Sequence, residues 1–258
     1  MKHKQPTLYN PNLHNSHLDG DPFLLEGGPV GIFLSHGYTA TTAEIRLVAE
    51  KFHSAGYTVA APLLPGHGTA PEDLNKVKWQ DWVRAGQAEL DRLFGICEQV
   101  WIGGESLGGM LALYLASQNP KAAGILLYAP AIRLMMKTLD KMKVYLASPF
   151  MTEVPRDSLD VADKWQGYPG VPLKGIVQLL RFQKATQKKL SQVTQPLIVF
   201  QGRQDSTVAP EVGTLILNGV SSAVKEHHWM ERSSHVIVLD EEHEKVANMS
   251  MRFIEENS

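Results

Sequence analysis

Short apolar runs of strand length alternate with longer stretches of helical periodicity through most of this sequence. Alternation of that kind marks βαβ units and predicts an α/β fold around a mainly parallel sheet flanked by helices. Residues 30–35 read as a buried strand. A helix over 44–55 comes next, with Ile45, Val48 and Phe52 at helical spacing and Gly56 placed to end it. Strands are expected at 57–61, 99–103, 123–128, 197–201 and 224–230. Between them lie a helix carrying Trp79, Trp82, Val83, Leu90 and Leu93, one over 107–117, and one opened by Pro210. Val246, Met249 and Phe253 mark a closing helix.

The alternation lapses between residues 131 and 190, where the chain is rich in Lys and Met and is broken by Pro149, Pro155, Pro169 and Pro172. This stretch reads as an inserted cap of short helical pieces and loops, leaving 1–130 and 191–258 as the core. A chain of 258 residues with 43% apolar residues suffices for one such domain.

Composition removes several function classes. Net charge is −2 and the basic residues form no stripe, so no nucleic-acid partner is expected. The single cysteine, Cys97, excludes an internal disulfide and a cysteine-built metal site. No His and carboxylate pair has a ligand spacing such as H-E-x-x-H, so neither metal nor cofactor is expected. The polar first twenty residues do not resemble a signal peptide, and no apolar run approaches about 18 residues, the length needed to span a membrane. A cytoplasmic location is therefore expected; oligomeric state is not legible.

Chemistry enters at Gly104-Glu105-Ser106-Leu107-Gly108, a G-x-S-x-G match. Chance alone gives roughly 0.1 such matches in a chain of this length at ordinary residue frequencies. Its place between a strand and a helix is more telling, because a sharp strand-to-helix turn lifts a serine hydroxyl above the strand ends. Gly104 and Gly108 leave room for that turn. The helix start offers free N–H groups to developing negative charge, with the Leu107 amide as the first oxyanion donor. A phosphate loop is disfavoured, since neither G-K-S/T nor G-x-G-x-x-G occurs.

A serine nucleophile needs a base and an orienting acid, which on such a sheet come in the order Ser, Asp or Glu, His. Of ten histidines, His235 alone lies after the last strand and before the closing helix. His3, His14 and His17 precede the core, His53 and His243 fall on helices at positions expected to be exposed, and His227 and His228 lie within a strand. His67, in Pro65-Gly66-His67-Gly68, comes too early and is read as loop packing. Asp205 lies just past the strand 197–201 and should share the carboxyl edge of the sheet with Ser106. Asp157, Asp160 and Asp163 fall in the cap and lack a strand-end position. The loop His36-Gly37-Tyr38-Thr39 should supply the second oxyanion donor at the Tyr38 amide, with His36 bracing it.

With these motifs in hand, the chain resembles bacterial carboxylesterases and monoacylglycerol lipases of the α/β-hydrolase superfamily. The resemblance runs through residues 36–39, 65–68, 104–109, 201–205 and 233–236. It implies cofactor-free hydrolysis of small carboxylic esters with short to medium acyl chains, beneath a cap over an apolar acyl tunnel. In the cap, Met135, Met136, Met142, Leu146, Phe150 and Met151 are candidates for an adaptable apolar face toward acyl chains, or else for packing onto the core. Rival readings with the same triad are a thioesterase, an amide or C–C hydrolase and an acyltransferase; a non-catalytic binding protein is the rival from another class.

Overall fold

The computed structural model describes residues 9–156 and 163–258. Among them a seven-stranded sheet forms the centre, with strands β1 (Phe23–Leu25), β2 (Val30–Ser35), β3 (Thr58–Ala61), β4 (Gln99–Glu105), β5 (Gly124–Tyr128), β8 (Leu197–Gly202) and β9 (Lys225–Met230). Their order across the sheet is β1-β3-β2-β4-β5-β8-β9. β1, which the sequence reading missed, runs antiparallel to β3, while the other neighbours pair in parallel. β6 (Glu153–Pro155) and β7 (Gly170–Pro172) form a separate antiparallel pair.

Each central strand is apolar on both sides, and its side chains alternate between two cores as the pleat requires. Phe33, Ile102, Ile125, Leu127, Leu197 and Val199 join one cluster; Ile32, Leu34, Trp101, Leu126, Ile198 and Phe200 join the other. The second face is covered by α1 (Ala43–Ser54) and α8 (His243–Glu256), through Ile45, Val48, Phe52, Val246 and Phe253. On the first face lie α3 (Trp79–Ile96), α4 (Leu107–Ala116), α6 (Leu173–Gln187) and α7 (Val212–Gly219). α4 is apolar all round, and its residues are buried apart from half-exposed Tyr114, so it runs between the sheet and the outer helices. The short α2 (Pro71–Leu74) closes the turn after β3.

Two readings need correction. The segment 131–190 holds more than short pieces: after α5 (Thr138–Ala147) comes α6, fifteen residues long, whose Ile176, Leu179, Leu180 and Phe182 belong to the main core. β5 and β8 are parallel neighbours and so require a crossover, which α6 supplies. α6 also holds the start of its own segment, where Gln183 Nε2 donates to the Ala131 carbonyl at 2.6 Å and Gln187 Nε2 to that of Ile132 at 2.8 Å. The second correction is at Pro210, which sits in the turn before α7, two residues short of its first turn.

Ser35 pairs with Gly104, Glu105 with Tyr128 and Gly202 with Met230, so five parallel strands end along one edge. The chain leaves β2 toward β3 on one side and later enters β4 on the other. A crevice opens where the order reverses, between the loops after β2 and β4.

Candidate active site

Ser106 occupies the residue between β4 and α4 with φ 55° and ψ −109°, in the left-handed region that side chains avoid. Such a conformation costs about 1–3 kcal/mol and persists only where its surroundings impose it. Here the Ser106 amide donates to the Tyr128 carbonyl at 2.9 Å, and the Ser106 carbonyl accepts from the Ala131 amide at 3.0 Å. A Cβ on Gly104 would collide with the backbone of Gly108, and one on Gly108 with the Ser35 carbonyl. The two glycines are therefore conditions of the turn.

The loops after β8 and β9 bring the partners. His235 Nε2 lies 3.0 Å from Ser106 Oγ, and its Nδ1 lies 2.9 Å from Asp205 Oδ2. A carboxylate only accepts, so Nδ1 carries the proton and Nε2 is free to accept the serine hydroxyl. Asp205 Oδ1 accepts the amides of Thr207 at 2.7 Å and Val208 at 2.9 Å, which locks the acid. Burial pushes the Asp205 carboxyl up, but the His235 imidazole and these two amides outweigh it and hold the group below its ordinary range. The Asp205 side chain is 1% exposed and that of His235 15%, so the acid end of the chain of hydrogen bonds is shielded from solvent. Of the cap aspartates, Asp163 is exposed, and Asp157 and Asp160 lie outside the described residues.

Ser106 and His235 open into a cavity of about 370 Å³. One wall is polar and built from strand-end loops, with Gly37, Tyr38, Ser206, Thr207 and His235. The other is apolar and comes from Leu134, Met135, Met136, Val171, Ile176 and Leu179. Among the described residues, the amides of Tyr38 and Leu107 have no acceptor, as an oxyanion site requires. Met135 and Met136 therefore reach the cavity, but Phe150 and Met151 do not. Those two line a separate concavity of about 250 Å³ beside Lys76 and Lys174, and Phe150 is 89% exposed. Their segment turns outward after α5, none of whose residues is buried.

His36 braces the loop after β2: its Nε2 accepts the Leu64 amide at 3.1 Å, which leaves Nδ1–H to donate to the Gly37 carbonyl at 2.9 Å. Burial lowers its pKa to about 4, against a smaller opposing effect of the Gly37 bond, so the ring is neutral. His67 is buried against His36 and Trp82 and takes no part in the triad geometry. His243 is half-buried, not exposed, because it starts α8 with Nδ1 against the Asp240 carbonyl at 2.7 Å. Among the described residues no group of three or more His, Cys, Asp or Glu is placed to hold a metal.

Among the charged and aromatic residues of the cavity, Glu44, Arg156 and Trp165 escaped the sequence reading. Glu44 sits in the first turn of α1, where an acid is expected to face solvent and the helix dipole, yet it is 3% exposed. No local pattern signals its burial, because apart from Gly37, seven residues before it, the groups it meets, Trp165, Arg156 and His235, are over a hundred positions away.

Comparison with known proteins places these features in one group. Residues 30–242 match the Hydrolase_4 family, described as serine aminopeptidase, S33. A thermostable monoacylglycerol lipase from Bacillus sp. (strain H-257) is 34% identical over 238 residues, covering 90% of this chain and 93% of that protein. A carboxylesterase from Bacillus subtilis (strain 168) is 26% identical over 235 residues, 91% of this chain and 96% of its own. A solved structure of a metagenome-derived lipolytic enzyme, described with LipS and LipT, superposes with a TM-score of 0.85 at 34% identity, over 93% of this chain and 99% of that one. With its α/β-hydrolase fold and a match over most of its length, this chain belongs to the serine aminopeptidase S33 family of hydrolases.

Proposed function

We propose that this serine ester hydrolase cleaves monoacylglycerols and related small carboxylic esters of short to medium acyl chain, with Ser106 as nucleophile, His235 as general base and acid, and Asp205 as the orienting acid. The observation that carries this reading is the unbroken hydrogen-bond chain Asp205–His235–Ser106, ending on a strained turn that faces a half-apolar cavity. Ser106 Oγ attacks the ester carbonyl as its proton passes to His235 Nε2, and the oxyanion rests on the amides of Tyr38 and Leu107. The imidazolium, stabilised by Asp205, then protonates the departing alcohol. Water gives its proton to the same nitrogen, attacks the acyl carbon and releases the acid, restoring the serine hydroxyl.

The segment 131–190 serves as the cap. Its first part and the start of α6 supply the acyl-facing residues Met135, Met136, Ile176 and Leu179, while the rest of α6 doubles as core. No helix among the described residues is long and apolar enough to cross a membrane, and one cysteine in 258 residues suits the reducing cytoplasm, where we place the enzyme.

Ester specificity is favoured over aminopeptidase activity by the cavity's charges. An aminopeptidase needs an anion free to receive the substrate's ammonium group. Among the lining residues the only carboxylate is Glu44, whose two oxygens already accept Gly37 and Trp165, and Arg156 stands nearby. Rates on p-nitrophenyl esters of increasing acyl length, monoacylglycerols, acyl-CoA and aminoacyl anilides test the proposal. Esters and monoacylglycerols should be turned over fastest; anilides or acyl-CoA preferred over every ester would overturn it.

A further inference from the structure

The loop after β2 carries the proposed oxyanion donor, and its backbone is not at rest. Thr39 has φ 66°, a left-handed conformation in a β-branched residue that must be held from outside. The holding groups come from distant segments. Tyr38 Oη donates to the Pro172 carbonyl at 2.6 Å, the Tyr168 amide donates to the Thr39 carbonyl at 3.0 Å, and Arg156 donates to Thr39 Oγ1. Nearest to Ser106, Glu44 Oε2 accepts the Gly37 amide at 2.5 Å, while Oε1 of the same carboxylate accepts Trp165 Nε1 at 3.0 Å.

Gly37 is wedged between these partners. A Cβ there would stand 3.0 Å from Glu44 Oε2 on one side and 3.4 Å from Ser106 Cβ on the other. Glu44 thus fixes the direction of the amide one residue before Tyr38, and two successive amides in such a tight loop cannot turn independently. The carboxyl is buried in the cavity lining and pushed up to about 6, chiefly by burial, with Gly37, Trp165, His235 and Arg156 opposing; Glu105 is a further carboxyl in electrostatic reach. A carboxylate supplies acceptors on both oxygens, whereas a carboxamide of equal size has one oxygen and turns an N–H₂ toward the other donor.

We propose that Glu44 is a positioning residue for ester hydrolysis: its two oxygens clamp the Gly37 amide and the Trp165 indole together, aiming the Tyr38 amide at the oxyanion and tying that aim to the cap segment. This rests on the triad reading above. Glu44 touches neither the reacting carbon nor the leaving group; it acts through the loop.

The test is Glu44→Gln, read on kinetics and on two kinds of inhibitor. Loss of a whole oxyanion donor lowers kcat by about 10²–10³, so a misaimed one should lower it by about ten- to a hundred-fold, with KM for the same ester little changed. Affinity for a trifluoromethyl ketone, which forms a tetrahedral oxyanion on Ser106, should weaken by the same factor as kcat, while affinity for the product carboxylic acid should not. Trp165→Phe should lower kcat by less than Glu44→Gln, and should add little when combined with it, because both act through one carboxylate. Unchanged kcat and ketone affinity in Glu44→Gln overturn the proposal, as does equal weakening of ketone and product acid. Should Glu44→Gln fail to fold, Glu44→Asp, which withdraws the charge by one methylene, is read by the same inhibitor ratio. Active-site titration of the unmutated enzyme separates the two levels: no stoichiometric acylation, with Ser106→Ala still active, would refute the triad reading itself.

Discussion

The two walls of the Ser106 cavity are built on different terms. The polar wall consists of loops at strand ends, each pinned by hydrogen bonds to its neighbours: Asp205 by two amides and His235, Gly37 by Glu44, Ser106 by Tyr128 and Ala131. The apolar wall presents side chains that only pack, on backbone tied down at points such as the Met135 amide to the Thr207 carbonyl at 2.8 Å, with Leu179 and Ile176 backed by the core and Met135 left 57% exposed. Directional bonds fix atoms to a fraction of an ångström, which bond-making chemistry needs; dispersion and burial tolerate rearrangement, which serves acyl chains of different length. Substitutions in the polar wall should therefore act on kcat, and those in the apolar wall on KM or on stability.

The largest effect is expected from Ser106→Ala, which should stay folded and lose activity by about 10⁴-fold or more, measured as kcat on a p-nitrophenyl ester. Asp205→Asn comes next, at about 10³-fold, because a carboxamide can hold His235 in the tautomer whose Nε2 bears the proton and cannot accept one from Ser106. Full activity in that variant would move the orienting role to another carboxylate. Behind the apolar wall, Phe182 is fully buried and stacked on Trp79 with ring centroids 5.3 Å apart, so Phe182→Ala should cost about 3–5 kcal/mol in denaturant unfolding. Met136→Ala should raise KM for an octanoate ester by up to about ten-fold, the worth of one or two methylene contacts, and less for an acetate ester. Smallest of all, Leu146→Ser on the exposed face of α5 should change stability by no more than about 0.5 kcal/mol. A Met136→Ala that lowered kcat on every ester alike would erase the distinction between the walls.

The polar wall was also the part legible in the sequence, because strand ends and the G-x-S-x-G turn are local patterns with local causes. Ser106, Asp205 and His235 could be placed by counting strands, since parallel strands deliver their trailing loops to one edge. The segment opposite was not legible in the same way. Leu139, Met142 and Leu146 have the spacing of a buried helical stripe, yet all three face solvent, since periodicity marks an apolar face without saying what covers it. α6 was obscured for the converse reason: Lys174, Arg181 and Lys184 on its outer side and the prolines before it blurred a face that is in fact core. Glu44 was invisible because its burial is made by Gly37 and Trp165, which only the folded chain brings to it.

In the proposed mechanism one hydroxyl, made nucleophilic by His235, carries the acyl group. Incubating the protein with a fluorophosphonate and locating the adduct by peptide mass spectrometry probes that step without intermediaries. One equivalent of phosphonyl group is expected, on Ser106, with activity lost in step and no adduct in Ser106→Ala. Stoichiometric modification of a different residue, or esterase activity that survives in Ser106→Ala, would refute the mechanism.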